Sequence, residues 1–443
     1  MIYPEAFEAR INQQFGQEAK LLLAALDLPP CTSVRLHPIK AIKIGDAPIP
    51  WCDSGFFLDE RPAFSLDPHF HAGAYYVQEA SSMLLKTAVN QIFKNIEGPK
   101  RVLDLCAAPG GKSTLLLACL DKNDVLIANE VIANRNAILQ ENLIKWGYPN
   151  YMVTRSDPEK FGAIENVFDL VCVDAPCSGE GMFRKDPDAI NEWSLENLQT
   201  CEFRSKRILG DIWPSVKPGG YLVYSTCTFN PEENEKLLAN FIQTNDAESI
   251  KIDISEDWGV FSGRFEGIHY YQFLPHLSQG EGFFLAVLKK GGQYQPNEEA
   301  VLTKVPKWAD KHQAYLTEDY KWNYLIINDL LHLRTAAAQQ LYDQLNGKLY
   351  FTKSAIELGK IIKDELLPSH ELALLVALNR ATCTTAEIDL ATALEYLRKG
   401  TNFKIAAPKG WVLLTFNQLP LGWVKNLGNR INNYYPVAYR LRS

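Results

Sequence analysis

The chain has 443 residues and a formal net charge of −7 at pH 7, with 47% apolar and 22% charged residues. Those proportions suit a globular protein of two to four domains and exclude a globally basic nucleic-acid binder. No run of about 18 apolar residues occurs, so no membrane span is expected. The start, Met1-Ile2-Tyr3-Pro4-Glu5, lacks a basic segment followed by an apolar stretch, so no secretory signal is expected. Nine cysteines, an odd number, include no Cys-x-x-Cys pair. That usage argues for reduced thiols in the cytoplasm, and against a zinc site or a disulfide framework.

In chain order, an amphipathic helix is predicted over 5–28, closed by Pro29-Pro30, within a small α+β region covering 1–72. The main domain is placed at 73–290. From Arg101 onward, strand-like and helix-like stretches alternate. Strands are predicted at Arg101–Leu105, Asp124–Asn129, Tyr151–Arg155, Phe168–Asp174 and Tyr221–Ser225, with helices at Lys112–Leu120, Ile132–Trp146 and Leu195–Val216. Such alternation predicts a doubly wound, mostly parallel α/β sheet. Three further β-like runs follow, at Ser249–Ile254, Tyr270–Leu274 and Gly282–Leu288, and the last two fit an antiparallel hairpin at a sheet edge.

The polar, turn-rich run 291–299 marks a domain boundary. Residues 300–390 form a middle segment of unclear fold, and 391–443 a small β-rich module. From Arg398 to Ser443 the chain carries no Asp or Glu. It holds instead Arg398, Lys399, Lys404, Lys409, Lys425, Arg430, Arg440 and Arg442, interleaved with Phe403, Trp411, Phe416, Trp423, Tyr434, Tyr435 and Tyr439. Cations and aromatics in that mixture suit phosphate neutralisation and base stacking on RNA.

Three runs at strand ends carry the chemistry, because ligands of open α/β sheets collect at the carboxyl ends of strands. The first is Cys106-Ala107-Ala108-Pro109-Gly110-Gly111-Lys112. Its glycines permit close backbone approach to a ligand, and the following helix offers free N–H groups. It is not a Walker loop, since the first glycine of that pattern is replaced by Cys106. Acids end the next three strands: Glu130, Asp157 and Asp174. Glu130 lies where doubly wound folds hold a ribose, and the set forms a cradle for a nucleoside-like cofactor. The other two runs, Asp174-Ala175-Pro176-Cys177-Ser178-Gly179 and Ser225-Thr226-Cys227, bring thiols to the same rim and suggest covalent chemistry at carbon 5 of a pyrimidine. A thiolate adding to carbon 6 makes carbon 5 nucleophilic, and a contact to ring nitrogen 3, for which Asp174 is suited, supports the adduct. The residues alone do not separate the roles of Cys177 and Cys227. Cys172 is assigned to the core, and Arg184 and Lys185 to RNA phosphates.

These motifs resemble those of the Nop/Sun-type RNA cytosine-5 methyltransferases. Tyr76-Val77-Gln78-Glu79-Ala80-Ser81-Ser82, the Cys177–Lys185 run and Ala407-Pro408-Lys409-Gly410-Trp411 are similar to the bacterial RsmF-like branch. The resemblance implies a class I methyltransferase-like Rossmann fold, S-adenosyl-L-methionine as cofactor, and an N-terminal RNA-binding region with a C-terminal PUA-like module. It implies Cys227 as nucleophile, Cys177 as its assistant in elimination, and no metal. The expected substrate is a cytosine of small-subunit (16S) ribosomal RNA, free or in the small ribosomal subunit, met by a monomer. Transfer RNA is the alternative substrate, and a non-catalytic assembly factor the alternative class. Intact Cys227, Cys177 and Asp174 argue against the latter, because binding alone needs no second thiol.

Overall fold

A computed structural model describes residues 2–45, 47–301, 307–363 and 365–442. The segments 300–390 and 391–443 expected from the sequence therefore include positions outside the described residues.

The centre is a ten-stranded sheet. Its parallel part runs in the order Val216–Thr226, Phe168–Asp174, Arg101–Asp104, Val125–Asn129, Tyr151–Thr154. Alternate residues of each strand belong to different layers, as the pleat requires. Val102, Leu126 and Ala128 join the core on one face, while Leu103, Val125 and Ile127 join the core on the other. Burial on both faces explains the continuous apolar runs seen in the sequence. The helices between these strands are Gly111–Cys119, Ala133–Trp146 and Leu195–Ile212. Gly147, at φ 81°, ends the second of them in the left-handed conformation that favours glycine.

Antiparallel strands extend one edge. Phe283–Lys290 pairs with Val216–Thr226, and Ile268–Phe273 pairs with it in turn, giving the expected hairpin. Phe261–Phe265 adds an outermost strand that the sequence reading lacked.

The N-terminal part departs from one long helix. It forms Glu5–Phe15 and Ala19–Leu26, broken at Gly16, whose φ is 55°. A four-stranded sheet follows, and its last strand, Tyr75–Val77, pairs with Thr32–Leu36. The α+β region thus runs past position 72, because 75–77 completes its ladder.

The middle segment does not stand apart from the sheet. Its strand Phe351–Lys353 pairs with Tyr151–Thr154 and closes the second edge. Its helix Ala336–Leu345 buries Ala338, Leu341 and Leu345 in the main core. The rest of it forms a four-stranded antiparallel sheet. The C-terminal sheet starts at Thr385–Glu387, which pairs with Gly410–Phe416, so that module begins before position 391. The turn-rich 291–299 run is strapped down: Tyr294 and Asn297 both donate to the buried Asp169 carboxylate, at 3.0 and 2.7 Å. No helix among the described residues is long and apolar enough to cross a membrane.

Leu341 is fully buried, so Leu341→Ala should destabilise the central sheet itself, by about 2–5 kcal/mol, the cost of a core cavity. Denaturant unfolding followed by a probe within 101–290 measures it. An unchanged midpoint would mean that the helix is not part of that cooperative unit.

Candidate active site

The two thiols meet because their strands are neighbours. Phe168–Asp174 and Val216–Thr226 pair in parallel, with Asp174 opposite Ser225. Each chain then turns over the rim, and Cys177 Sγ comes to 3.2 Å from Cys227 Sγ. The Cys227 amide also points at Cys177 Sγ, at 3.3 Å. The hydrogen bond with the Cys227 thiol, and then burial, push Cys177 well above the ordinary thiol range. Cys177 therefore keeps its proton at neutral pH.

Asp174 is fixed beside them. Ser225 Oγ donates to its Oδ1 at 2.8 Å, and Lys112 Nζ lies 2.8 Å from its Oδ2. Burial would lower the Lys112 ammonium, but the Asp174 carboxylate outweighs it and the group is raised. Lys112 thus stays charged, over the face of Phe283 at 5.3 Å.

Cys227, Asp174 and Lys112 open onto a cleft of about 300 Å³, with Cys177 behind Cys227. Cys106, Ala107, Ala108, Pro109 and Gly111 form one wall, and Met182, Gly282 and Phe283 another. A third wall comes from Tyr76, Val77, Gln78, Glu79 and Ser82, at the end of the N-terminal sheet, which the sequence reading did not place in the site. Gly110 sits at φ 113°, and a Cβ on Gly111 would come within 3.3 Å of the Tyr76 ring. The backbone at Gly110 therefore favours glycine, and Gly111 leaves a side chain little room.

Asp104 was also not singled out, although it ends the first core strand. It is fully buried; Ser113 donates to its Oδ2 at 2.6 Å, while its Oδ1 has no hydrogen-bond partner. Burial raises this carboxyl to about 7. An orphaned buried acceptor behind the cofactor loop fits a ligand that brings an N–H donor.

Glu130 is buried next to the loop. Its Oε1 accepts from the Ile132 amide at 2.9 Å, and Arg135 lies 3.6 Å from its Oε2 and also donates to Ala108 O. Asp157 behaves differently. It caps the Pro158–Gly162 helix through the Glu159 amide and faces Arg207 at 3.4 Å, and it does not line the cleft. Arg184 does not reach outward for phosphate: it is buried, with Nε 2.6 Å from Glu281, whereas Lys185 is exposed. Cys172 is core, as expected, and among the described residues no cluster could hold a metal ion.

In the C-terminal sheet, Trp423 and Tyr435 are core residues, and Lys399 is spent on the carbonyls of Asn433 and Tyr435. Lys404, Lys409, Arg430, Arg440 and Arg442 remain exposed.

A Rossmann-type sheet with a glycine loop and strand-end acids defines a methyltransferase, and this one carries paired thiols at the same rim. Comparison with known proteins agrees. The family described as 16S rRNA methyltransferase RsmB/F matches residues 92–289, the N-terminal domain of 16S rRNA methyltransferase RsmF matches 3–80, and the methyltransferase RsmF PUA domain matches 383–441. Ribosomal RNA small subunit methyltransferase F of Salmonella arizonae is 31% identical over 466 residues, covering 98% of this chain and 96% of that protein. The protein of the same name from Escherichia coli strain SE11 is 31% identical with the same coverage. Among solved structures, a methyltransferase homologue from Pyrococcus horikoshii is 27% identical, with a TM-score of 0.55, covering 65% of this chain and 95% of that one. The chain belongs to the RsmF branch of the RsmB/F 16S rRNA methyltransferases, whose cofactor is S-adenosylmethionine.

The glycine cradle fits that cofactor; Glu130, the acid expected from the sequence to hold its ribose, is buried beside the loop and does not line the cleft, nor does Asp104. Glu130→Ala should weaken its binding by roughly 1–3 kcal/mol, the scale of a charge-assisted hydrogen bond. Titration calorimetry with S-adenosylmethionine tests this; unchanged affinity in a folded variant would remove Glu130 from the site.

Proposed function

We propose that this protein methylates carbon 5 of a cytosine in small-subunit (16S) ribosomal RNA, through a covalent bond to Cys227. The observation that carries the reading is the thiol pair 3.2 Å apart beside Asp174, at the mouth of the cofactor cleft. A binding module has no use for a second thiol at that distance.

The proton distribution supports separate roles for the sulfurs. Cys177 holds its proton, so Cys227 is the sulfur left to attack carbon 6. Attack on the ring builds negative charge toward ring nitrogen 3, and the Asp174–Lys112 pair beside it offers the Lys112 ammonium, the member with protons to donate. S-adenosylmethionine, held against the Cys106–Lys112 loop with Glu130, supplies the methyl group. After transfer the carbon 5 hydrogen leaves as a proton to water, its bond electrons restore the carbon 5–carbon 6 double bond, and the Cys227–carbon bond breaks; Cys177, in contact with Cys227, gives a proton to the departing sulfur.

The exposed cations of the C-terminal sheet supply phosphate contacts. Lys409 packs against Gly428, close in sequence to Arg430, and the Trp411 and Tyr434 rings lie edge to face at 4.5 Å beside Lys425. We infer that the protein acts in the cytoplasm as a monomer, in keeping with an rRNA-modifying enzyme.

Two outcomes test the reading. Cys227→Ala should abolish methylation and leave cofactor binding nearly unchanged, whereas Cys177→Ala should accumulate a protein–RNA adduct that survives denaturing electrophoresis and disappears with nuclease. An adduct in Cys227→Ala instead would reverse the roles. Lys409→Ala/Arg430→Ala should weaken RNA binding and flatten its salt dependence, by roughly 0.7–0.9 in slope for each phosphate no longer neutralised. Unchanged affinity and slope would give that surface another role.

A further inference from the structure

Behind the two thiols lies a row of four buried oxygens. Ser178, which follows Cys177, has its Oγ 2.6 Å from Glu233 Oε1 and 2.8 Å from Thr228 Oγ1. Thr228, which follows Cys227, has its Oγ1 3.0 Å from Glu180 Oε2. All four side chains are buried. The row therefore joins one cysteine loop to the other immediately behind the thiol pair.

The hydroxyls of the row do not carry enough protons for it. Three oxygen–oxygen contacts need three hydrogens, and the two hydroxyls supply two. The third must come from a carboxyl. Glu180 cannot carry it: its oxygens accept from Arg10 Nη1 at 2.6 Å, Trp193 Nε1 at 3.0 Å and the Phe229 amide at 3.2 Å, all donors. Glu233 has no cationic partner among the described residues. Its Oε2 accepts from the Ser178 amide at 2.9 Å, and its Oε1 lies between Ser178 Oγ and Asn230 Nδ2.

We propose that Glu233 is a positioning residue that holds a proton, and that this proton, passed as a one-way chain of hydrogen bonds through Ser178 and Thr228 to the Glu180 carboxylate, sets the spacing of the two working thiols. This rests on the assignment of Cys227 and Cys177 given above. Burial first, and the nearby Glu180 charge, raise the Glu233 carboxyl to about 7, against hydrogen bonds that lower it. The other groups facing it are the Cys177 thiol, the Cys201 thiol on the Leu195–Ile212 helix and the Tyr224 phenol, all raised and so uncharged at neutral pH. Arg10, on the first helix, acts from beyond Glu180. Loss of the Glu233 proton leaves two hydrogens for three oxygen pairs, and two oxygens then face each other unbridged across the loops.

The chain of hydrogen bonds is intact below about pH 7 and fails above it. Methylation should thus fall on the alkaline side, with a limb that belongs to Glu233. In Glu233→Gln the carboxamide N–H replaces the carboxyl O–H as donor to Ser178. That variant should keep kcat at pH 6 within a few-fold and lose the alkaline limb. Glu233→Ala should lose kcat at every pH while still binding S-adenosylmethionine by calorimetry. Difference infrared between pH 6 and pH 9 should show a buried protonated carboxyl band that is absent in Glu233→Gln. This last readout needs no catalysis, so it separates failure of the proton assignment from failure of the methylation reading. Glu233→Gln as inactive as Glu233→Ala, an alkaline limb unmoved in Glu233→Gln, or no carboxyl band assignable to Glu233 would each overturn the proposal.

Discussion

The site depends on one parallel pairing, that of Phe168–Asp174 with Val216–Thr226, in which Asp174 lies opposite Ser225. The loops leaving these strands carry the thiols, so the register sets where Cys177 and Cys227 emerge. A slip of one residue would send alternate side chains to the opposite face and put the sulfurs out of reach of each other. The opposite end of the same pair is pinned by Asp169. Its buried carboxylate takes the Arg101 amide at 2.7 Å, Tyr294 and Asn297, and it pairs with Lys217 Nζ at 3.1 Å. Gly219, at φ 72°, lies in the turn-like start of the longer strand, and a Cβ there would meet the Tyr294 backbone at 2.8 Å. The turn-rich run 291–299 thus works as a lock on strand register rather than as a loose linker.

A second constraint couples the N-terminal sheet to the cofactor loop. Arg35 is fully buried and has no acidic partner among the described residues. It donates to Gln78 Oε1 at 2.8 Å and to Thr114 Oγ1 at 2.6 Å, with its guanidinium 4.5 Å from the Trp146 ring. Burial without a carboxylate lowers it to about 10, which still leaves it charged at neutral pH. A buried charge of this kind is tolerated only where hydrogen bonds and a ring face replace water. The arrangement ties Gln78, on the cleft wall, to the helix that starts at Gly111. The third wall of the cleft is therefore not a separate domain resting nearby; it is held by the same side chain that braces the cofactor helix.

Much of this was legible from the chain. The five parallel core strands were readable because burial on both faces makes them continuous apolar runs, and Phe168–Asp174 was read to the residue. The cysteine motifs and the glycine loop were readable because their residues are adjacent. What escaped depends on partners distant in sequence. Glu233 meets Ser178 across 55 residues, and Arg10 meets Glu180 across 170, so neither acid carried a local signal. Arg184 looked like a phosphate ligand because the Glu281 that buries it lies 97 residues away. Asp157 was grouped with the strand-end acids, but an Asp before Pro is also a standard helix cap, and that local use is the one it serves here. The strand Phe351–Lys353 is three residues long, too short for any period to show.

The thiol pair itself poses an electrostatic problem. Two sulfurs at 3.2 Å cannot both be thiolates, since like charges that close repel strongly in a half-buried site. One must stay protonated, and the groups around Cys177 decide which. The Cys227 thiol bonds to it on one side and burial disfavours a charge there, and together these outweigh the Cys227 amide, which points at the sulfur. Across the cleft, Lys112 stays charged and its field acts on Cys227 as well as Asp174. A cation near one sulfur and burial around the other polarise the pair. The protonated sulfur then needs no rearrangement, because it is already in contact with the sulfur that must leave afterwards.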